Sequence, residues 1–236
     1  MATDSRVMVI TGTSRGIGRG LAEHFLAGGY EVAGCARGPS TIADPRYHHA
    51  VVDVGDESAV RKWVRELRSR YGRIDVLVCN AGTAKAASLV TMTESALLEE
   101  IVRSNLLGTF FVCREVAKAM MVAGTGRIVT ISSMAVGLHE EGTAAYAAAK
   151  SAIVEMTKIL AKELAPSGIT ANVVAPSMFA SDAFEALGEA VQQRARSKLT
   201  IPRMVTIEEI AGVIAFFAAP ESAAITGQVV HMGLVV

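Results

Sequence analysis

An α/β fold built on a seven-stranded, mostly parallel sheet flanked by helices is what this sequence predicts. Short β-branched runs alternate with long helical patterns from one end of the chain to the other. The strand runs are nearly continuously apolar, as strands covered on both faces must be. A length of 236 residues, 51% of them hydrophobic, suits one domain with an ample core.

The first strand, 7–11, reads Val-Met-Val-Ile-Thr and stops at a glycine-rich turn, after which 16–27 is helical. A second strand at 32–36 leads into 38–46, a turn-rich stretch where a crossover helix could have stood, so this connection is expected to be short or poorly helical. The strand at 49–52 precedes a helix at 57–71, and the strand at 76–80 precedes one long helix at 94–121. A strand at 128–132, a helix at 143–165 and a strand at 170–175 follow, then a helix at 207–218 and a last strand at 228–231. Residues 177–202 form a long connection holding Met178, Phe179, Phe184, Leu187 and Val191, expected to be a substrate-binding loop or lid within the single domain 1–236.

Composition excludes several function classes. Lysine plus arginine (23) equals aspartate plus glutamate (23), which leaves no electrostatic footprint for nucleic acid or an anionic membrane. The three cysteines, Cys35, Cys79 and Cys113, lack CxxC spacing, and the five histidines lack metal-ligand spacing, so neither a disulfide framework nor a metal site is expected. Reduced cysteines and the lack of a visible signal peptide or membrane helix point to the cytoplasm.

Two patterns carry chemistry. The turn Thr11-Gly12-Thr13-Ser14-Arg15-Gly16-Ile17-Gly18 joins the first strand to a helix. Its glycines let the backbone approach a ligand, and the helix start offers free N–H groups to a pyrophosphate. Glycine-rich turns also occur there for packing, and the GxxxGxG spacing differs from the general GxGxxG fingerprint. Tyr146 and Lys150 lie four apart in an alanine-rich helical stretch, on one face. A nearby ammonium favours phenolate, and moving a phenol from roughly 10 to about 7 needs roughly 4 kcal/mol. Such a tyrosine would exchange a proton with a substrate oxygen. Ser132-Ser133 ends the fifth strand, at the sheet edge where α/β proteins bind ligands, and offers a hydroxyl to the same oxygen. Each feature alone also has a structural explanation, as an exposed ion pair or a turn residue.

Together, in this order and over nearly the whole chain, these residues resemble the classical short-chain dehydrogenase/reductases. Thr11 to Gly18 is similar to the family's TGxxxGIG. Cys79-Asn80-Ala81-Gly82 resembles NNAG with cysteine first, Asn105 the helical asparagine, and Ser133 with Tyr146 and Lys150 the serine and YxxxK. The resemblance implies a Rossmann-type doubly wound fold and a catalytic tetrad of Asn105, Ser133, Tyr146 and Lys150. It makes Tyr146 the general acid/base, has Ser133 orient the substrate oxygen, and gives Lys150 the nicotinamide ribose hydroxyls. Asn105 would hold a proton-relaying water. Cofactor contacts are implied at Gly12, Ser14, Arg15, Gly16, Ile17, Gly18, Arg37, Asp53, Val54, Asn80, Ala81, Gly82, Pro176 and Ser181, besides Tyr146 and Lys150. Departures are Ser177 in place of the glycine after Pro176, Ser181 in place of a threonine, and a C-terminus without the common double glycine.

An aspartate at the end of the second strand would select NAD, whereas Ala36-Arg37 stands there and Arg15 sits in the glycine-rich turn, so NADP(H) is expected. The leading function is NADPH-dependent reduction of a ketone or 3-oxo group. The alternatives are an NAD-dependent secondary alcohol dehydrogenase and a catalytically silent dinucleotide-sensing protein. Overall pattern is closest to the 3-oxoacyl-thioester reductase-like branch, through Ile225-Thr226-Gly227-Gln228. The family's habit implies a homotetramer. Uncharged stretches at 122–125 and 166–168, where carrier-using relatives present basic residues, favour a free or coenzyme-bound substrate over a carrier-bound one.

Overall fold

The computed structural model describes residues 5–83, 88–179 and 188–236. β1 (Val7–Thr11), β2 (Glu31–Ala36), β3 (Tyr47–Val51), β4 (Val76–Cys79), β5 (Gly126–Ile131), β6 (Ile169–Ala175) and β7 (Val229–His231) form one sheet in the order β3-β2-β1-β4-β5-β6-β7. Every pairing within it is parallel. The strand order reverses between β1 and β4, so the crossovers leave on opposite faces and a crevice opens at the carboxyl ends of these two strands.

Side chains alternate along each strand, and the two faces bury different sets. Val9, Ala33, Cys35, Leu77 and Ile128 meet Trp63, Leu67, Val112 and Val116 from α2 (Glu57–Tyr71) and α4 (Gly108–Ala123). Met8, Ile10, Val32, Val76 and Val78 meet Leu21 and Phe25 of α1 (Gly16–Ala27) and, from the last helix Ile207–Ala218, Ile210, Ile214 and Phe217. Local signals stop the helices where expected. Asp56 caps α2 by accepting from the Ser58 and Ala59 amides, and Gly72 ends it at φ 71°. Thr206 and Glu209 close a reciprocal capping box on the last helix.

The stretch 37–46 contains no helix, as its turn residues predicted. The long helix expected over 94–121 runs without a break from Ser95 to Ala123, as α3 (Ser95–Ile101), a π-helical turn Val102–Leu107 and α4 in succession. Asn105 sits in the widened turn. Its amide donates at 3.0 Å to Ile101 O, one turn back, and at 3.0 Å to Thr83 O, while Thr109 Oγ1 donates to Asn105 O at 2.6 Å. Side chains thus compete for helix carbonyls, and such a widened turn accommodates the extra residue. A short α5 (Ala135–Leu138) and the long α6 (Ala144–Leu164) follow β5. Within the expected loop 177–202, residues 189–196 form α7 (Glu189–Arg196), so α8 is the last helix, Ile207–Ala218. No described helix is long and apolar enough to cross a membrane.

Candidate active site

At the carboxyl ends of β1, β2 and β4 lies a cleft of about 710 Å³, within the range that encloses small molecules. Gly12, Ser14, Arg15, Gly16 and Ile17 line one side and Arg37, Asp53, Val54, Asn80, Ala81 and Gly82 the others, with Tyr146 at one end. Gly18 is buried rather than lining; a Cβ there would collide with Gly12 O, so its role is to let α1 start against the turn. The turn is held from beneath: Gly12 N and Thr13 N donate to Cys35 O at 2.7 and 3.1 Å. Thr11 Oγ1 accepts from Asn80 N and Ala81 N at 3.0 and 2.9 Å, which locks β4's exit to β1's. Asn80 Nδ2 adds a bond to Thr11 O at 3.0 Å.

Gly16 has φ 57° and faces open space, so the amides opening α1 are free to meet a phosphate without a side chain in the way. Arg15 and Arg37 are both exposed on this cleft and have no ion-pair partner among the described residues. Asp53 does not reach them; its Oδ1 accepts from Gly55 N at 2.9 Å. A dinucleotide carrying an extra phosphate fits this donor set.

A smaller space of about 180 Å³ continues from the cleft, sharing Ile17, Asn80, Gly82 and Tyr146 with it, and is bounded by Asn105, Ser133, Lys150, Pro176 and Ser177. The four residues expected to act together are therefore brought to one place. α6 carries Tyr146 and Lys150 on the face toward the end of β5: Lys150 Nζ donates to Ile131 O at 2.9 Å, and Ser132 Oγ donates to Lys150 O at 3.2 Å. Ser133 Oγ accepts from Ala135 N at 3.2 Å and borders the same small space as Tyr146. Asn105 is fully buried and its Oδ1 has no partner among the described residues. Gly82 explains the approach, since a Cβ there would collide with Asn105 Oδ1 and lie 3.5 Å from Lys150 Nζ.

In the chain by itself, burial pushes the Tyr146 hydroxyl above its usual range, with the neighbouring Ser133 hydroxyl pulling partly the other way. Burial also pushes Lys150 down, to about 8. The ammonium sits 5.8 Å from the Tyr146 ring centroid, spent on a backbone carbonyl rather than on the phenol.

Ser181 lies outside the described residues. Of the connection 177–202, Ser177 and Phe179 line the site. Val205 N donates to Met178 O at 2.9 Å, Phe179 lines the cofactor cleft, and Lys198 pairs with Glu140 at 2.5 Å, just ahead of α6. Sequence reasoning missed Thr83, whose carbonyl holds Asn105, and Phe179 as a wall; their roles follow from backbone placement and carry no residue-type signal. The stretches 122–125 and 166–168 lie at the amino ends of β5 and β6, with Gly168 packed against Gly124 O. That is the sheet edge opposite the cleft, so their lack of charge does not describe this chain's own active-site mouth. Among the described residues no cluster of histidine, cysteine or acidic groups could hold a metal ion.

Comparison with known proteins agrees with this geometry. Residues 12–233 match the family model described as enoyl-(acyl carrier protein) reductase. The chain is 35% identical over 240 residues to 3-oxoacyl-[acyl-carrier-protein] reductase FabG of Salmonella typhimurium, covering 98% of this chain and 97% of that one. It is 34% identical over 226 residues to MabA, the enzyme of the same name from Mycobacterium tuberculosis, covering 96% and 90%. Among solved structures, ElxO with NADP bound superposes with a TM-score of 0.90 at 28% identity, over 97% of each chain. Thermoplasma acidophilum aldohexose dehydrogenase, ligand-free, gives 0.90 at 27% identity, over 98% and 94%.

Proposed function

The chain belongs to the short-chain dehydrogenase/reductase family, and on that premise we propose that it is an NADPH-dependent reductase converting a ketone or 3-oxo group to a secondary alcohol. The observation that carries this reading is the continuity of two spaces: a protonated Tyr146 beside Ser133 at one end, and two unpaired arginines at the other. The relatives named for 3-oxoacyl reduction and the neighbour titled with NADP support the same reading.

The cofactor supplies the hydride to the carbonyl carbon. The chain's own residues handle the oxygen. Tyr146 gives its phenolic proton to that oxygen as negative charge develops there. Ser133, whose Oγ already accepts from Ala135 N, keeps its hydrogen free to donate to the same oxygen and fixes the substrate beside the tyrosine. Lys150, within the buried end of the cleft, is placed for the ribose hydroxyls. Asn105 Oδ1, buried beside Gly82 without a partner among the described residues, fits the relay that returns a proton toward Lys150. Arg15 and Arg37 would hold the adenosine 2′-phosphate of the bound cofactor. An NAD-dependent alcohol dehydrogenase would place an acidic group where Ala36 and Arg37 stand.

We further assign the connection 177–202 to the substrate, with Phe179 and Met178 at its start. A free or coenzyme-bound 3-oxo substrate is the proposed preference over a carrier-bound one; of the cations at 194–198, Lys198 is paired with Glu140 while Arg194 is exposed. Leu98, Leu107, Phe110 and Met121 on the outer surface of α3, the π-helical turn and α4, and Ile159 on α6, are exposed apolar residues suited to a homotetramer interface. The cytoplasm is the proposed location. The test is a panel of ketones and 3-oxoacyl thioesters, free, coenzyme-bound and carrier-bound, each with NADPH and NADH. Turnover should favour NADPH; equal or better kcat/KM with NADH, or no turnover of any ketone, would refute the reading.

A further inference from the structure

Tyr47 and His49 stand two apart on β3, so both side chains leave the same face of that edge strand. The Tyr47 hydroxyl lies 2.8 Å from Thr13 Oγ1 and 3.0 Å from His49 Nδ1, its single hydrogen shared between these two acceptors. His49 Nε2 meets Gly38 O at 2.8 Å; a carbonyl can only accept, so Nε2 carries a proton. Thr13 lies two residues before Arg15, and Gly38 directly follows Arg37. One chain of side-chain hydrogen bonds, Thr13–Tyr47–His49–Gly38, therefore ties together the two turns that bear the unpaired arginines. Gly34 of β2, paired with His49 in the sheet, leaves room for it, because a Cβ there would collide with both Tyr47 Oη and Thr13 Oγ1. Neither Tyr47 nor His49 lines the cleft, and no step of the reaction uses them.

We infer that Tyr47 and His49 are positioning residues for cofactor selectivity: they set the spacing of the Arg15 and Arg37 turns so that both guanidiniums converge on the 2′-phosphate. The inference rests on the NADPH reading above. If the two side chains only hold the edge strand in place, their loss weakens every adenine nucleotide alike. If they set the arginine spacing, the loss falls on the 2′-phosphate.

Calorimetric titration of the full chain with adenosine 2′,5′-bisphosphate and with adenosine 5′-monophosphate separates the two. Tyr47→Phe, which removes one oxygen, and His49→Ala should each weaken the bisphosphate about five- to tenfold, the scale of one or two lost hydrogen bonds. The monophosphate should change by less than about twofold. His49→Gln, whose amide can donate to Gly38 O, should recover most of the affinity. Parallel weakening of both ligands, or an unchanged bisphosphate affinity in Tyr47→Phe, overturns the inference. Arg37→Ala serves as the reference: if it loses the bisphosphate preference while both β3 variants keep it, the NADPH reading stands and this inference falls. Equal binding of the two ligands by wild type would sink the NADPH reading and this inference with it.

Discussion

Replacing Lys150 by methionine is expected to stabilise the fold while disabling the enzyme, by an amount that depends on pH. Lys150 is buried, its ammonium bonded to Ile131 O, and burial lowers it from 10.5 to about 8. The native state then binds fewer protons than the unfolded chain between about pH 8 and 10.5, so stability rises with pH through that window. Below pH 8 the full penalty, roughly 3 kcal/mol, is present. Methionine has a similar length and no charge; losing the bond to Ile131 O costs about 1 kcal/mol. The variant should therefore be more stable than wild type by about 2 kcal/mol at pH 7, or roughly 4–8 °C in Tm. Wild type recovers roughly 2–3 kcal/mol between pH 7 and 10, so the two proteins should be nearly equal at pH 10. Urea unfolding of both at the two pH values reads this difference directly, and the effects of groups not coupled to Lys150 cancel. A stability difference that stays constant, or grows toward pH 10, would refute the reasoning.

Three other outcomes are expected. Tyr146→Phe should nearly abolish turnover with NADPH affinity close to wild type, because the ring stays and only the transferable proton goes, while Ser133→Ala should lose about two to three orders of magnitude in kcat, as for one oxyanion donor; substantial kcat in Tyr146→Phe would overturn the acid assignment. Ketone reduction should be flat through neutral pH, since burial keeps Tyr146 protonated, and should fall above about 8 as Lys150 loses its charge; a fall beginning near pH 6 would contradict that assignment. Light scattering at micromolar concentration should give the mass of four chains, and a monomer would show that the exposed apolar residues of α3, α4 and α6 have no partner copy.

Much of the site was legible in the chain because its residues are near neighbours in sequence or sit at strand ends. Tyr146 and Lys150 share a helix face by spacing alone, and Thr11 to Gly18 joins a strand to a helix start wherever the rest of the chain goes. Asn105 was legible as a residue but not as a shape: it sits in a π-helical turn of the long helix and bonds Thr83 O, 22 residues away. Loops 122–125 and 166–168 were read as bordering the mouth, whereas strand polarity carries them to the other edge of the sheet.

Local pattern by itself determined the parallel α/β class, the order of its elements and the pairing of Tyr146 with Lys150 on one helix face, because hydrophobic period, turn glycines and i,i+4 spacing are properties of short stretches; Asn105 entered only through the family resemblance. Only the tertiary structure decided how those groups are charged and held. Lys150 at about 8, a Tyr146 that keeps its proton and a Thr13–Tyr47–His49–Gly38 tie all arise from burial and from contacts between segments far apart in the chain. Desolvation and long-range hydrogen bonds depend on which segments meet, and no window of sequence contains both partners.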